Sequence, residues 1–209
     1  MSIHLQNKDK ESTVATPSAI NRGTHYLADN PAYYEIQRGN TFMFYVRFPD
    51  NFFAGDNILS AQNAYAAKNA QEVLRISVNE SSVPHFTMNA ISLRRGNNEM
   101  KFAGVPTFGS GALVLDDFIG AGTKDVLLAW QRKAYNVMTE KVGLASDYKL
   151  DAWLTEYTPD YQVVRTWKIA GCWISGLSEG NYSHESTDKR AINATLEYDK
   201  AYPYVNDLA

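Results

Sequence analysis

The residues best equipped for chemistry are few and scattered. Ser183-His-Glu-Ser-Thr-Asp188 gathers a nucleophile, a base and an acid within six positions. A catalytic triad is assembled by fold geometry rather than by local sequence, so this stretch reads as a solvated turn. Gly120-Ala-Gly122-Thr-Lys124 leads into a helical pattern, where backbone amides attract anions. Its Gly-Thr-Lys order is not that of a phosphate loop, and turn plus Thr123 N-cap is the better reading. His4, His25, His85 and His184 form no i, i+4 pair. Asp116-Asp117 has no further carboxylates at ligand spacing. Cys172, the single cysteine, excludes an intrachain disulfide and reads as a small buried apolar residue. The expectation is no catalytic, cofactor-binding or metal-binding residue, and no enzyme.

The elements that would have to position such residues point elsewhere. The chain has 209 residues, 44% hydrophobic and 21% charged, a balance suited to one globular domain. Its 13 tyrosines, 9 phenylalanines and 4 tryptophans suit sheets and extensive interfaces. A net charge of −3 gives no basic footprint for nucleic acid. Met1 to Glu11 is polar where a signal peptide needs an apolar run, and no stretch approaches the roughly 20 apolar residues of a membrane span. The expectation is a protein kept in a cytoplasm with no membrane anchor, which leaves the Asn-x-Ser/Thr sequences at Asn79, Asn181 and Asn193 without meaning.

Residues 1–30 lack periodicity and read as an extended arm ahead of a domain over 31–202, with a C-terminal tail at 203–209. Thr41 to Phe48 alternates as a strand. Residues 49–72, rich in Ala and Asn, read as an inserted loop with a short helix around Ala61 to Ala70, and Val73 to Asn79 as a second strand. Within a long excursion over 85–111, Thr87 to Arg95 and Asn98 to Ala103 form a hairpin turning at Gly96-Asn97-Asn98. Ala112 to Asp116 follows as a strand. The one convincing helix begins at Thr123, carries Val126, Leu127, Trp130, Ala134 and Val137 on one stripe, and is capped by Gly143. Asp147 to Tyr157, Gln162 to Ile174 and Arg190 to Asp199 are three longer strands, with Gly176 to Asp188 a turn between the last two. Strands on either side of one helix give a mainly β chain, an antiparallel β-sandwich or partial barrel with one flanking α-helix.

Arg94-Arg95 beside Phe86, Met88 and Phe108 places arginines and aromatics on the excursion, as an interface would. A loop folded back onto its own core fits the same residues, and the sequence alone does not choose between them.

The order of features resembles the tail tube proteins of contractile-tailed bacteriophages and the related tubes of type VI secretion systems and R-type bacteriocins. The resemblance covers roughly residues 40–202. It runs through the Ser-Val-Pro84 exit, the hairpin ending before Thr107-Phe108, Asp116-Asp117, Trp130-Gln131, Tyr148-Lys149, Ile169-Ala-Gly171-Cys-Trp173, and Leu196, Tyr198 and Asp199. It implies a hexamer whose sheets join across subunits into a closed tube, with rings stacked as a virion tail tube for DNA ejection. Capping each open edge with the next subunit removes exposed strand edges. The implied partners are further copies of the chain, the tail sheath, baseplate and tail terminator proteins, and a tape measure protein and transiting DNA in the lumen, with assembly in the host bacterial cytoplasm. Phe86, Met88, Arg94, Arg95 and Phe108 would make inter-ring or subunit contacts. Arg75, Ser77 and Asn79, with Asn193, Thr195 and Glu197, would be lumen-facing. A secretion or bacteriocin tube is the alternative within the family. A monomeric small-molecule-binding β-barrel with an enclosed apolar pocket is the alternative outside it.

Overall fold

A computed structural model describes residues 36–53, 56, 59, 63–180, 183–185 and 187–204. The chain divides into two units, 1–39 and 40–209, and the helices and strands below belong to the second. The expected arm of residues 1–30 lies outside the described residues.

The element order is β1 (Phe42–Val46), α1 (Ala64–Ser77), β2 (Val78–Ser81), β3 (Phe86–Arg95), β4 (Asn98–Phe108), β5 (Gly111–Asp116) and α2 (Thr123–Ala134). Then come β6 (Tyr135–Asn136), β7 (Lys141–Val142), the short α3 (Ala145–Tyr148), β8 (Leu150–Tyr157), β9 (Val163–Glu179), β10 (Ala191–Glu197) and β11 (Lys200–Tyr204). Strands run in the order β1-β8-β9-β10-β5-β2, all antiparallel, with β11 beside β9. The fold is mainly β, as the alternation indicates, and the sheet does not close into a barrel.

β9 is the spine. Its first half pairs with β8 on one edge and β11 on the other, and its second half pairs with β10. The switch falls at Gly171, where φ is +68°. Ile169 points inward before it, Cys172 and Ile174 after it, so the alternation is reset there. The partner strand resets at the same level: Leu196 and Tyr198 face in, then Ala201, with the Asp199 amide donating to Ala170 O at 3.1 Å. Only a left-handed residue allows this turn without strain, and glycine occupies it freely.

Among the described residues α1 joins α2 in covering the core. The reading of Val73 to Asn79 as a strand is corrected: all but the last two of those residues finish α1. Ala66, Ala70, Val73, Leu74 and Ser77 are buried at helical spacing, while Ile76 is exposed. Asn63 caps the helix, its Oδ1 accepting from the Ala66 amide at 3.0 Å. The expected short helix is therefore longer, because a local alternation of Leu74, Ile76 and Val78 competes with an equally good helical stripe. α2 stops at Ala134 instead of running on towards Gly143. Its N-cap is Gly122, with φ of +66° and no side-chain cap bond. Thr123 is instead buried and hydrogen bonds Ser77 Oγ at 2.8 Å. The strand expected from Asp147 begins at Leu150, β9 extends through Glu179 into the expected turn, and β11 was not foreseen.

α1, α2 and both halves of the sheet share one core, with Leu115, Leu127, Trp130, Ile174 and Ile192 at or below 1% exposure. Trp130 donates its indole N–H to Tyr148 O at 2.8 Å, which satisfies the one polar atom that this large side chain buries.

Candidate assembly surface

Among the described residues, those that could do chemistry are not brought together. Glu185 N–H donates to Ser183 Oγ at 3.2 Å within an exposed turn, as a solvated turn requires. Lys124, at the start of α2, is held by Glu179 at 2.8 Å, and Arg190 reaches the same carboxylate. Those two cations lower the Glu179 pKa, Arg190 first and Lys124 second. Asp116 pairs with Lys189 at 3.2 Å. Among the described residues no group of three His, Cys, Asp or Glu side chains could hold a metal ion. Cys172 is buried, and desolvation pushes its thiol pKa far up, away from reactivity.

What the structure presents instead is surface that the described residues leave uncovered. β3 and β4 make a two-stranded hairpin that belongs to no larger sheet. Phe86 pairs with Phe108 in register, with rings 5.6 Å apart, and Phe108 lies 6.2 Å from Tyr198 of the body. Met88 pairs with Pro106, Arg94 with Glu99, and Arg95 with Asn98. Phe86 and Met88 are exposed, while Phe108 is partly buried against the core, so the five expected contact residues divide between a root and a tip. Four residues that the sequence reading passed over are exposed near the tip: Ile91 (59%), Leu93 (43%), Met100 (52%) and Phe102 (49%). Ile91 faces Phe102 and Leu93 faces Met100. The alternation counted back from Gly96 on both arms is the signal that could have found them.

The expected lumen-facing residues divide in the same manner. Asn193 and Thr195 are exposed on the outer face of β10, between Ser178 and Gly176 of β9 and Val114 and Ala112 of β5. Glu197 is half-buried opposite Trp173, and Asn79 is exposed in β2. Arg75 sits in the last turn of α1, its Nε donating to Glu72 at 3.0 Å. Ser77 is corrected. It is 1% exposed and donates to Val73 O at 2.7 Å, so it faces the helix contact and not a channel.

The sheet also ends in edges that no other described strand pairs. In β1 the bonded pairs to β8 fall on odd residues: the Tyr157 amide donates to Thr41 O at 2.9 Å, and the Arg47 amide to Asp151 O at 3.1 Å. Phe42, Phe44 and Val46 therefore turn their backbone groups away from β8. β2, at the other end of the strand order, pairs only with β5. Between these two ends runs a groove of 480 Å³ lined by Phe42, Met43, Ile76, Val78, Tyr157 and Tyr161. By contrast, the cavity enclosed among Phe44, Leu113, Ile169 and Leu196 holds only 10 Å³.

No family model and no curated relative matches the sequence. Solved structures do match the fold. A chain from the sheath–tube complex of an extracellular contractile injection system in its extended state superposes with a TM-score of 0.57 at 17% identity, covering 84% of this chain and 96% of that one. The chain has the fold of contractile-injection tube proteins. A chain from the tube-terminating cap of the anti-feeding prophage gives a TM-score of 0.57 at 13% identity, covering 81% of this chain and 91% of that one. One from the baseplate of the same particle, 6-fold symmetrised, gives 0.56 at 12%, covering 83% and 98%. This tube fold spans nearly the whole of each solved chain.

Proposed function

We propose that the chain is a structural subunit that assembles with copies of itself into the hollow tube of a contractile injection apparatus. The observation that carries this reading is the combination of a tube fold with sheet edges and an apolar hairpin that no described residue covers. Backbone groups at β1 and β2 invite another strand, and apolar side chains on β3 and β4 need cover. Stacked six-membered rings would satisfy both, with sheath, baseplate and terminator proteins as partners at the outside and ends. Sheath–tube, cap and baseplate assemblies among the solved relatives support those partners. The polar outer face around Asn193 and Thr195 fits a wet channel wall. The mechanism is mechanical: a stiff channel driven forward when a sheath shortens, with no reaction catalysed by the chain.

Two cargoes fit such a channel. Genomic DNA ejected through a phage tail, alongside a tape measure protein, is one. An extracellular injection device without a genome is the other, and the matched extracellular contractile injection system favours it. A monomeric ligand-binding barrel is disfavoured because the described sheet does not close and the pocket among Phe44, Leu113, Ile169 and Leu196 holds only 10 Å³. Electron microscopy and sedimentation of the purified chain test the proposal. Hexameric rings or tubes are expected; a monomer that persists at high concentration would refute it.

A further inference from the structure

We propose that the outer face of β1, β8, β11 and the first half of β9 is a docking site for an acidic polypeptide segment that also carries apolar side chains. The two outer faces of the sheet differ in character. On β10 and β5 the outward residues around Asn193 and Thr195 are small and polar. On the other side, Phe44, Ala152, Ile169 and Ala201 point into the core, so the residues that alternate with them point out. Register then aligns Tyr45 with Trp153, Trp153 with Lys168, and Lys168 with Tyr202, one outward row across β1, β8, β9 and β11. The Tyr45 and Trp153 rings lie 5.8 Å apart, and Lys168 Nζ stands 5.8 Å from the Trp153 ring centroid. Tyr202 and Tyr204 are 39% and 40% exposed. Aromatic rings interleaved with cations are what the centre of a protein interface is made of. Charge chooses the occupant. Asp151 is matched by Lys168 at 3.1 Å and Asp199 by Lys149 at 2.7 Å, which neutralises the acids next to Lys168 and Lys200. Arg47 and Lys200 remain, exposed and with no acidic partner among the described residues. The Arg47 amide bonds Asp151 O at 3.1 Å and Lys200 stands opposite Ala170, so both flank the same end of the aromatic row. Two surplus positive charges beside a row of rings are complementary to carboxylates accompanied by apolar side chains. Nucleic acid is the poorer fit. Lys168 already covers the Trp153 ring, and two unpaired cations release too few counterions to hold a phosphate backbone. The face is complete within one subunit, so this proposal does not rest on the assembly described above.

Random copolymers of Glu and Tyr, and of Lys and Tyr, share their aromatic content and differ in charge. Fluorescein-labelled samples of each are titrated with the purified chain at low salt and followed by anisotropy. The Glu–Tyr copolymer is expected to bind about tenfold more tightly than the Lys–Tyr copolymer, and more tightly than poly-Glu, which offers no ring. Reversing both unpaired cations, Arg47→Glu with Lys200→Glu, should weaken that binding about tenfold, the scale of two exposed charge pairs. Lys68→Glu with Lys141→Glu makes the same charge change at exposed positions off the face and should leave the affinity as it was. Tyr202→Ser removes one ring and should weaken the Glu–Tyr copolymer while leaving poly-Glu unchanged. Far-ultraviolet circular dichroism checks that every variant keeps the parent fold. Equal binding of the two copolymers, binding of neither, or equal losses in the two charge-reversed chains would overturn the proposal. Tighter binding of a deoxythymidine oligonucleotide would overturn it in favour of nucleic acid. Altered sedimentation of the Arg47→Glu, Lys200→Glu chain with unchanged copolymer binding would overturn it in favour of a second copy. Each of these results leaves the tube reading standing.

Discussion

Gly171→Ala tests whether the pivot of β9 is as tightly specified as its geometry indicates. The residue sits at φ +68°, where a Cβ costs about 1–2 kcal/mol through contact with the carbonyl that follows. The new Cβ would also lie 2.3 Å from Asp199 Oδ2 and 2.9 Å from its Cγ, so that carboxylate must move. Moving it releases Lys149 Nζ, now 2.7 and 2.9 Å from the two oxygens. The pair is substantially exposed, so its loss costs only about 0–1 kcal/mol. Replacing glycine also narrows the unfolded ensemble, which returns about 0.4–1 kcal/mol. The net expectation is a loss of about 1–2 kcal/mol. In an Asp199→Ala background the side-chain collision disappears and only the backbone cost remains, so the substitution should then cost about 0.5–1 kcal/mol less. Urea unfolding followed by tryptophan fluorescence measures all four proteins of the cycle. A Gly171→Ala chain as stable as the parent, or equal costs in the two backgrounds, would refute the account of how β9 passes between its partners.

Two further outcomes follow from the core and from the end of the sheet. Trp130→Ala removes a fully buried ring and orphans Tyr148 O, and should cost about 3–5 kcal/mol in the same unfolding assay. The Glu179 carboxyl has its folded pKa lowered by Arg190 and Lys124, so its contribution is present above the unfolded carboxylate value near pH ~4.3 and is lost as pH falls through the lower folded value. Glu179→Gln should therefore flatten the acid limb of stability against pH; an unchanged limb in urea titrations across that range would show that the pairing with Arg190 and Lys124 adds no stability.

How much of this was legible in the sequence depends on the range over which each signal acts. Alternation in β1, β8 and β10 is a local property of the pleat, and the inward residues Phe44, Leu154 and Ile192 followed from it. The Gly96 turn and its two arms were legible for the same reason. α1 was misread at its end because Leu74, Ile76 and Val78 satisfy two periods at once, and the neighbour that chooses between them, α2 with Thr123, arrives 46 residues later. β11 carries Pro203, which a local reading takes as a strand breaker. Its place beside β9 is fixed by the Asp199 turn against Ala170.

The sequence by itself determined a mainly β chain, a helix carrying Trp130 on its apolar stripe, a hairpin on the excursion, and chemistry-bearing residues too scattered to form a local site. These rest on spacing within a few residues, where backbone geometry dictates side-chain direction. Tertiary structure alone decided that Ser77 is buried, that β1 and β2 end the described sheet on a shared groove, and that one bulge sends the hairpin's two apolar halves to opposite sides. Those depend on register between strands and on which elements meet, quantities set by long-range packing that no short window of residues contains.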